Sequence, residues 1–419
     1  AFERQGLSAT MRAVSVDGNF TQTHLRMGHN MYSAIEHFEP RFEDAAIEDT
    51  IQRLTQTRFP DAETVEDWQQ GVPLSYCQEL VRYWREEYDW HRVPSLLNQY
   101  DNFVTEIDGI KIHFLHIRSP HGQAQPLLIT HGWPGSVLEF LDIIGPLSNP
   151  TQHGGDPTDA FHLVIPSLPG FGFSGQPTSP GVGVERIAAL WDQLMLRLGY
   201  ERYIAQGGDW GSLVTHAVLL HPDTHCLAGH VNLPMLVPDE HTMSGSDPTE
   251  QPTLTAAMHY QDHEAGYSKQ QSTRPQTLAY SLADSPAGQM AWIVEKYATW
   301  TDCVRDGIRH PENAIERDVL LDIVTHYWMT NTGGSSARLY WESFTEGDYR
   351  PVVLPIGLSI FPKELFVCTE RLARTRYQQL VLFNDQHEAG GHFASLEQPQ
   401  ALISDIRAWR ATLQEQELI

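Results

Sequence analysis

Residues 206 to 212 read QGGDWGS, with an apolar run before them (Tyr203-Ile204-Ala205) and a helix-like run after them (Leu213 to Leu220). Glycines flanking one reactive residue between a strand and a helix form the pattern of a nucleophile elbow, usually written G-x-S-x-G. Here the tip carries Asp209. A plain helix N-cap would also favour aspartate. A cap, however, does not need Gly207 and Gly211, which permit a sharp turn and close strand–helix packing. A carboxylate nucleophile suits displacement at a saturated carbon and leaves an ester behind. Hydrolysing that ester needs a water-activating base and an acid to orient it.

Elbow enzymes place these two downstream, acid before histidine. His392, in "GGHFASLE" after the apolar run "QLVLF", stands where the base is expected. Glu364, in "FPKEL" after "IGLSIF", is the candidate orienting acid; Asp385 and Glu388 are alternatives on the histidine's own segment. His387 lies five residues before His392, so "HEAGGH" lacks the i, i+4 spacing of a helical zinc site and is set aside as a metal motif. Attack on an ester creates an oxyanion, for which two backbone N–H donors are expected: Trp210, directly after the nucleophile, and Trp133 in the loop "THGWPGS". "GFGFSG" (170–175) matches a dinucleotide fingerprint, but "QPTSPG" follows it instead of a helix, so it is rejected.

The elements that must position these residues show an α/β rhythm. Ile47, Ile51 and Leu54, then Cys77, Leu80, Val81, Trp84 and Tyr88, repeat at helical spacing, the second run behind a Ser75-x-x-Gln78 capping box. "FVTEIDGIKIHFLHI" alternates about Asp108-Gly109, a hairpin signal. From residue 126 strands ("PLLIT", "FHLVIPSL", "RYIAQ", "AGHVNL") alternate with helices, of which 184–198 is the longest. Such alternation predicts right-handed crossovers and a mostly parallel sheet. The rhythm stops near 234 and resumes near 350 at "VVLPIGLSIF" and "QLVLF", with a closing helix "PQALISDIRAWRATL". The intervening helical insertion should lie over the carboxyl ends of the strands, where such sheets bind ligands. Its aromatics Trp292, Tyr297, Trp300, Tyr327 and Trp328 suggest an apolar or aromatic substrate, although rings at this spacing are more often core.

The net charge of −25 argues against nucleic acid and anionic membranes as partners. Four scattered cysteines fit a reducing, cytoplasmic setting and neither a disulfide framework nor a zinc knuckle. No window of about 18 apolar residues predicts a membrane span. Residues 1–35 lack the features of a signal peptide and read as an arm without assignable function.

Taken together, "HGWPGS", "PSLPGFGFS", "LMLRLGY", "QGGDWGS", "FPKEL" and "GGHFA" resemble the microsomal-type epoxide hydrolases from about residue 36 to the last helix. "YWREEYDW" and "LNQYDNFVTEIDGIKIHFLHI" are similar to that family's N-terminal region. The resemblance implies an α/β-hydrolase fold with a mostly parallel central sheet, a mainly helical cap and an N-terminal helical lead-in. The expected division is an arm (1–35), the N-terminal segment (36–118), the first part of the core (119–233), the cap (234–350) and the rest of the core (351–419). It also implies Asp209 as nucleophile, His392 as base and Glu364 as its acid. Two cap tyrosines, matched at Tyr267 in "EAGYSKQ" and Tyr340 in "SSARLYWES", would donate to the epoxide oxygen. No cofactor or metal is implied. The partners are a small-molecule epoxide and water, and a homodimer is left open. The hydrophobic membrane anchor of the vertebrate members has no counterpart in the sequence, so membrane attachment is not carried over. A haloalkane dehalogenase also uses an aspartate on this fold but would have no use for two cap phenols. A small-molecule-binding homologue would not need the Asp209, Glu364 and His392 set.

Overall fold

The computed structural model describes residues 34–234, 236–344 and 348–419. Nearly all of the N-terminal arm expected over 1–35 therefore lies outside the described residues. Strand β1 (Glu36–His37) is followed by helices α1 (Asp44–Thr55), α2 (Leu74–Glu86) and α3 (Arg92–Leu97). A hairpin of β2 (Asn102–Ile107) and β3 (Ile110–Ile117) comes next. The core then alternates β4 (Gln125–Thr130), α4 (Leu141–Ser148), β5 (Phe161–Pro166), α5 (Val184–Arg197), β6 (Tyr203–Gly207), α6 (Trp210–Leu220) and β7 (Cys226–Val231).

The helical insertion comprises α7 (Glu240–Met243), α8 (Gln251–His259), α9 (Gly266–Thr273), α10 (Pro275–Asp284) and α11 (Pro286–Trp300). A short hairpin, β8 (Val304–Arg305) and β9 (Ile308–Arg309), precedes α12 (Arg317–Met329) and α13 (Gly333–Ser343). The chain ends with β10 (Ile356–Ser359), α14 (Glu370–Arg376), β11 (Leu380–Asn384), α15 (Ala394–Glu397) and α16 (Pro399–Glu415).

The main sheet has nine strands in the order β1-β2-β3-β5-β4-β6-β7-β10-β11. From β5 to β11 every pairing is parallel, while β1, β2 and β3 add an antiparallel margin. This is the mostly parallel sheet that the α/β rhythm predicts. Strand β6 is buried along its whole length, as a strand covered by helices on both faces must be. Helix α5 turns Ile187, Leu190, Trp191, Leu194 and Met195 to the core. It ends where Gly199 adopts φ +86°, the left-handed conformation that glycine tolerates best.

The Asp108-Gly109 hairpin forms as expected: Ile107 pairs with Ile110 and both turn residues have positive φ. The capping box does not. Helix α2 starts at Leu74, so Ser75 lies inside it, and the Glu63 carboxylate accepts from the Leu74 N–H at 2.8 Å. A side chain eleven residues away supplies the cap, and no local pattern can signal that. The helix read in "SVLEFLDIIGPL" opens as a 3₁₀ turn over Val137–Phe140 and becomes α-helical only at Leu141.

The lead-in helices do more than run into the hairpin, because they strap the cap. Trp84 Nε1 donates to Thr325 at 2.9 Å, and Tyr88 and Arg92 both reach the buried Asp322. From α1, Thr50 Oγ1 accepts from Trp328 Nε1 at 2.8 Å.

Candidate active site

Asp209 follows the carboxyl end of β6 and opens α6, at φ +50° and ψ −126°. A non-glycine residue in that region carries roughly 1–3 kcal/mol of backbone strain, which the surroundings must over-determine. They do so by close approach. A Cβ on Gly211 would lie 1.9 Å from the Thr130 carbonyl oxygen, and one on Gly132 would lie 2.1 Å from Asp209 Oδ1. Only glycine lets β4, its following loop and the elbow close on each other. Although Asp209 occupies the N-cap position of α6, its side chain caps nothing. The carboxylate instead accepts from the Trp133 N–H at 2.7 Å through Oδ1 and faces His392 Nε2 at 3.2 Å through Oδ2.

His392 and Glu364 come from loops after β11 and β10, the two strands that extend the parallel sheet beyond β7. Their side chains meet at 2.6 Å, Nδ1 to Oε1, with both residues buried. Glu364 is thus the acid that reaches His392, and Asp385 does not, since it pairs with Gln386. His387 turns away to Asp405 at 2.9 Å, which separates it from His392 as the spacing argument requires. Burial would lower the His392 pKa, but the Glu364 and Asp209 carboxylates outweigh it and hold the imidazole well above its ordinary value. The resting site is therefore an Asp–His–Glu row with a cationic imidazole between two carboxylates.

The cap supplies aromatic rings. Tyr267 lies parallel to Trp133, with centroids 5.0 Å apart and a 10° tilt, and Tyr340 stands edge-on to Trp133, Trp210 and Tyr267. Burial, with the Asp209 charge adding to it, raises both phenols well above the usual tyrosine range, so they remain donors. The Tyr340 hydroxyl is buried without a partner, and Tyr267 receives a long hydrogen bond of 3.5 Å from Tyr260. Tyr260 starts a one-turn π-helical stretch (Tyr260–Glu264) that joins α8 to α9 and sets the direction of Tyr267; such bulges concentrate at functional sites.

Of the two expected oxyanion donors, the structure brings Trp133 onto the carboxylate. The Trp210 N–H makes no hydrogen bond to it, because Asp209 Oδ1 points toward the β4 loop. The loop "GFGFSG" forms no phosphate site: no helix starts before Val184, and the loop receives the cap instead through Ser335 Oγ donating to the Gly170 carbonyl at 2.6 Å.

The five cap aromatics proposed as substrate lining divide. Tyr327 donates to the Gly135 carbonyl at 2.8 Å and Tyr297 reaches that of Pro134 at 3.4 Å, so both clamp the Trp133 loop. Trp292 and Trp328 bond to Gln271 and Thr50. Of the five, only Trp300 reaches the Asp209–His392–Glu364 row: its carbonyl accepts the His392 N–H at 2.9 Å and its ring meets the imidazole edge-on at 5.2 Å. These rings therefore give no direct support to an aromatic substrate.

Three residues at the site escape sequence reasoning. Lys296 lies over the Tyr267 ring at 4.6 Å, on a different helix from the tyrosine. Glu139 is buried, and burial with the facing Asp209 charge raises its pKa to about 8. Gln206, in the elbow stretch itself, donates through Nε2 to Asn232 at 3.1 Å while its Oε1 has no partner. For Gln206 a signal existed, since a polar residue at the end of an apolar strand needs a reason. For the other two none existed.

Residues 35–140 match the family model "Epoxide hydrolase N terminus", and 125–261 match the α/β-hydrolase fold. Epoxide hydrolase 1 of Sus scrofa is 33% identical, with 91% of this chain and 90% of that protein covered. The chain belongs to the epoxide hydrolase family. A Stigmatella aurantiaca protein provisionally named as an epoxide hydrolase is 49% identical over 87% of this chain and 82% of its own length. Among solved structures, the juvenile hormone epoxide hydrolase of Bombyx mori superposes with a TM-score of 0.83 at 29% identity, covering 92% of this chain and 96% of that one. The fold of this epoxide hydrolase is thus that of its relatives over nearly the whole described length. Among the described residues no helix is long and apolar enough to cross a membrane.

Proposed function

We propose that the enzyme converts an epoxide to a vicinal diol through a covalent ester on Asp209. Tyr267 and Tyr340 donate to the epoxide oxygen while Asp209 attacks a ring carbon; the C–O bond breaks, and the alkoxide takes a proton through the phenols that the His392 imidazolium replaces, which leaves the imidazole neutral. The product is a 2-hydroxyalkyl ester. Esterification removes the Asp209 charge, one of the two that hold His392 protonated, and so lowers the imidazole pKa when a base is needed. His392, oriented by Glu364, then takes a proton from water, which attacks the Asp209 carbonyl carbon; the tetrahedral intermediate breaks its ester C–O bond, and the diol oxygen leaves with the proton of the new carboxyl, which restores the Asp209 carboxylate beside a protonated His392. The Trp133 N–H, already 2.7 Å from Oδ1, stabilises the oxyanion. We assign the second donor to Trp210 once the ester has formed, because the residue after the nucleophile is the one the elbow turns toward the reacting carbon.

The observation that carries this reading is the Asp209–His392–Glu364 row, at 3.2 and 2.6 Å, set against two buried phenols. Four free cysteines support a reducing, cytoplasmic location.

The test is His392→Gln with a generic aryl epoxide. General-base loss should slow turnover by about 10²–10⁴-fold, and intact-protein mass should show a stable adduct of one substrate. A slow variant that never accumulates an adduct contradicts the ester route.

A further inference from the structure

Behind the elbow lies a small cavity, about 20 Å³, between the β4 loop, the β6 end and the His392 loop. About 10–15 Å³ suffices for one water if two or more polar groups face it. Its polar walls are the Asp209 carboxylate, the His392 imidazole, the Glu139 carboxyl and the side-chain amides of Gln206 and Asn232. One buried atom of this set, Gln206 Oε1, has no hydrogen-bond partner, and His392 Nε2 meets only Asp209 Oδ2, at 3.2 Å. Glu139 is drawn tightly against the Trp133 loop: a Cβ on Gly135 would fall 1.2 Å from Glu139 Oε1.

We infer that this cavity holds the hydrolytic water and that Glu139 and Gln206 are its positioning residues. This rests on the ester mechanism proposed above. The attacking water has two hydrogens. One goes to His392 Nε2 as the oxygen bonds to the Asp209 carbonyl carbon, and the other must be held so that a lone pair faces that carbon. Glu139 and Gln206 Oε1 are the acceptors available for it.

The groups bearing on Glu139 are Asp209 and His392, and the phenols of Tyr297 and Tyr327 on the cap. Both phenols are themselves raised well above the tyrosine range and stay neutral. In the resting enzyme the Asp209 charge opposes ionisation of Glu139. The ester removes that charge, so Glu139 becomes a stronger acceptor in the half-reaction that consumes the water.

The inference is tested by separating the half-reactions in single turnovers, following the fluorescence of Trp133 and Trp210. Glu139→Leu should leave ring opening within about 3-fold and slow ester hydrolysis about 10- to 100-fold. In steady state kcat and KM then fall together and kcat/KM holds. Glu139→Gln, which keeps an acceptor in place, should restore most of the hydrolysis rate. A Leu variant that hydrolyses its ester at the wild-type rate, or one that loses both half-reactions equally, overturns the assignment. So does a Gln variant as impaired as Leu. If even His392→Gln forms no ester, the covalent mechanism has failed rather than the role of Glu139.

Discussion

On the core side, Asp209 follows β6, Glu364 and His392 stand in the loops after β10 and β11, and the three are tied to one another by charge. On the cap side, Tyr267 and Tyr340 carry no charge and are held by ring packing against Trp133 and Trp210. Hydrogen bonds and ion pairs between loops at the carboxyl edge of the sheet hold the first group. Side-chain stacking fixes the second. In the proposed mechanism the two sides also serve different steps, the cap for opening the ring and the core for both attack and hydrolysis. Variants on the two sides should therefore fail in distinguishable ways.

The largest effect belongs to the core. Asp209→Ala removes the nucleophile and should cost about 10⁴-fold or more in turnover with no adduct by mass; appreciable residual diol formation would move the chemistry off the elbow. Removing both phenols, Tyr267→Phe with Tyr340→Phe, should slow ring opening by about 10²–10³-fold. Hydrolysis of a preformed ester should stay within a few-fold, and an equal loss in both steps would erase the division between cap and core.

A smaller effect concerns pH. Glu139 keeps its proton in the folded enzyme up to about pH 8, whereas in the unfolded chain it releases it near 4.5. The folded state binds the extra proton in that window, so this group's contribution to stability falls as pH rises through it. Glu139→Gln has no proton to lose and should gain in Tm relative to wild type between pH 5 and 8. Parallel Tm curves would contradict the raised value. The smallest effect tests the clamp between the sides. Tyr327→Phe loses the 2.8 Å bond to the Gly135 carbonyl and should cost about 1 kcal/mol of stability, measured by denaturant unfolding.

What could be read from the chain follows the same division. The elbow glycines, the hairpin turn and the late strands leave local marks, so Asp209, Glu364 and His392 could be placed by pattern and order. The cap is different. Its helices α7 to α10 fall in a polar stretch whose periodicity is weak, and only family resemblance singles out Tyr267 among 15 tyrosines. Glu139 and Lys296 reach the site through contacts between elements far apart in sequence. The Glu63 cap on α2 shows the same limit in miniature: a nearby capping box was legible, yet a distant carboxylate does the capping. Trp210 is the remaining case, since position after the nucleophile marks it as a donor while the resting carboxylate is turned to Trp133.

The central claim is that Asp209 becomes covalently bound to substrate. It is tested most directly by one turnover in heavy-oxygen water with enzyme in excess, followed by mass analysis of the diol and of the peptide containing Asp209. Label should enter the Asp209 carboxylate, and the first-turnover diol should carry none. Label in that first diol, with an unlabelled Asp209, would mean that water attacks the epoxide directly.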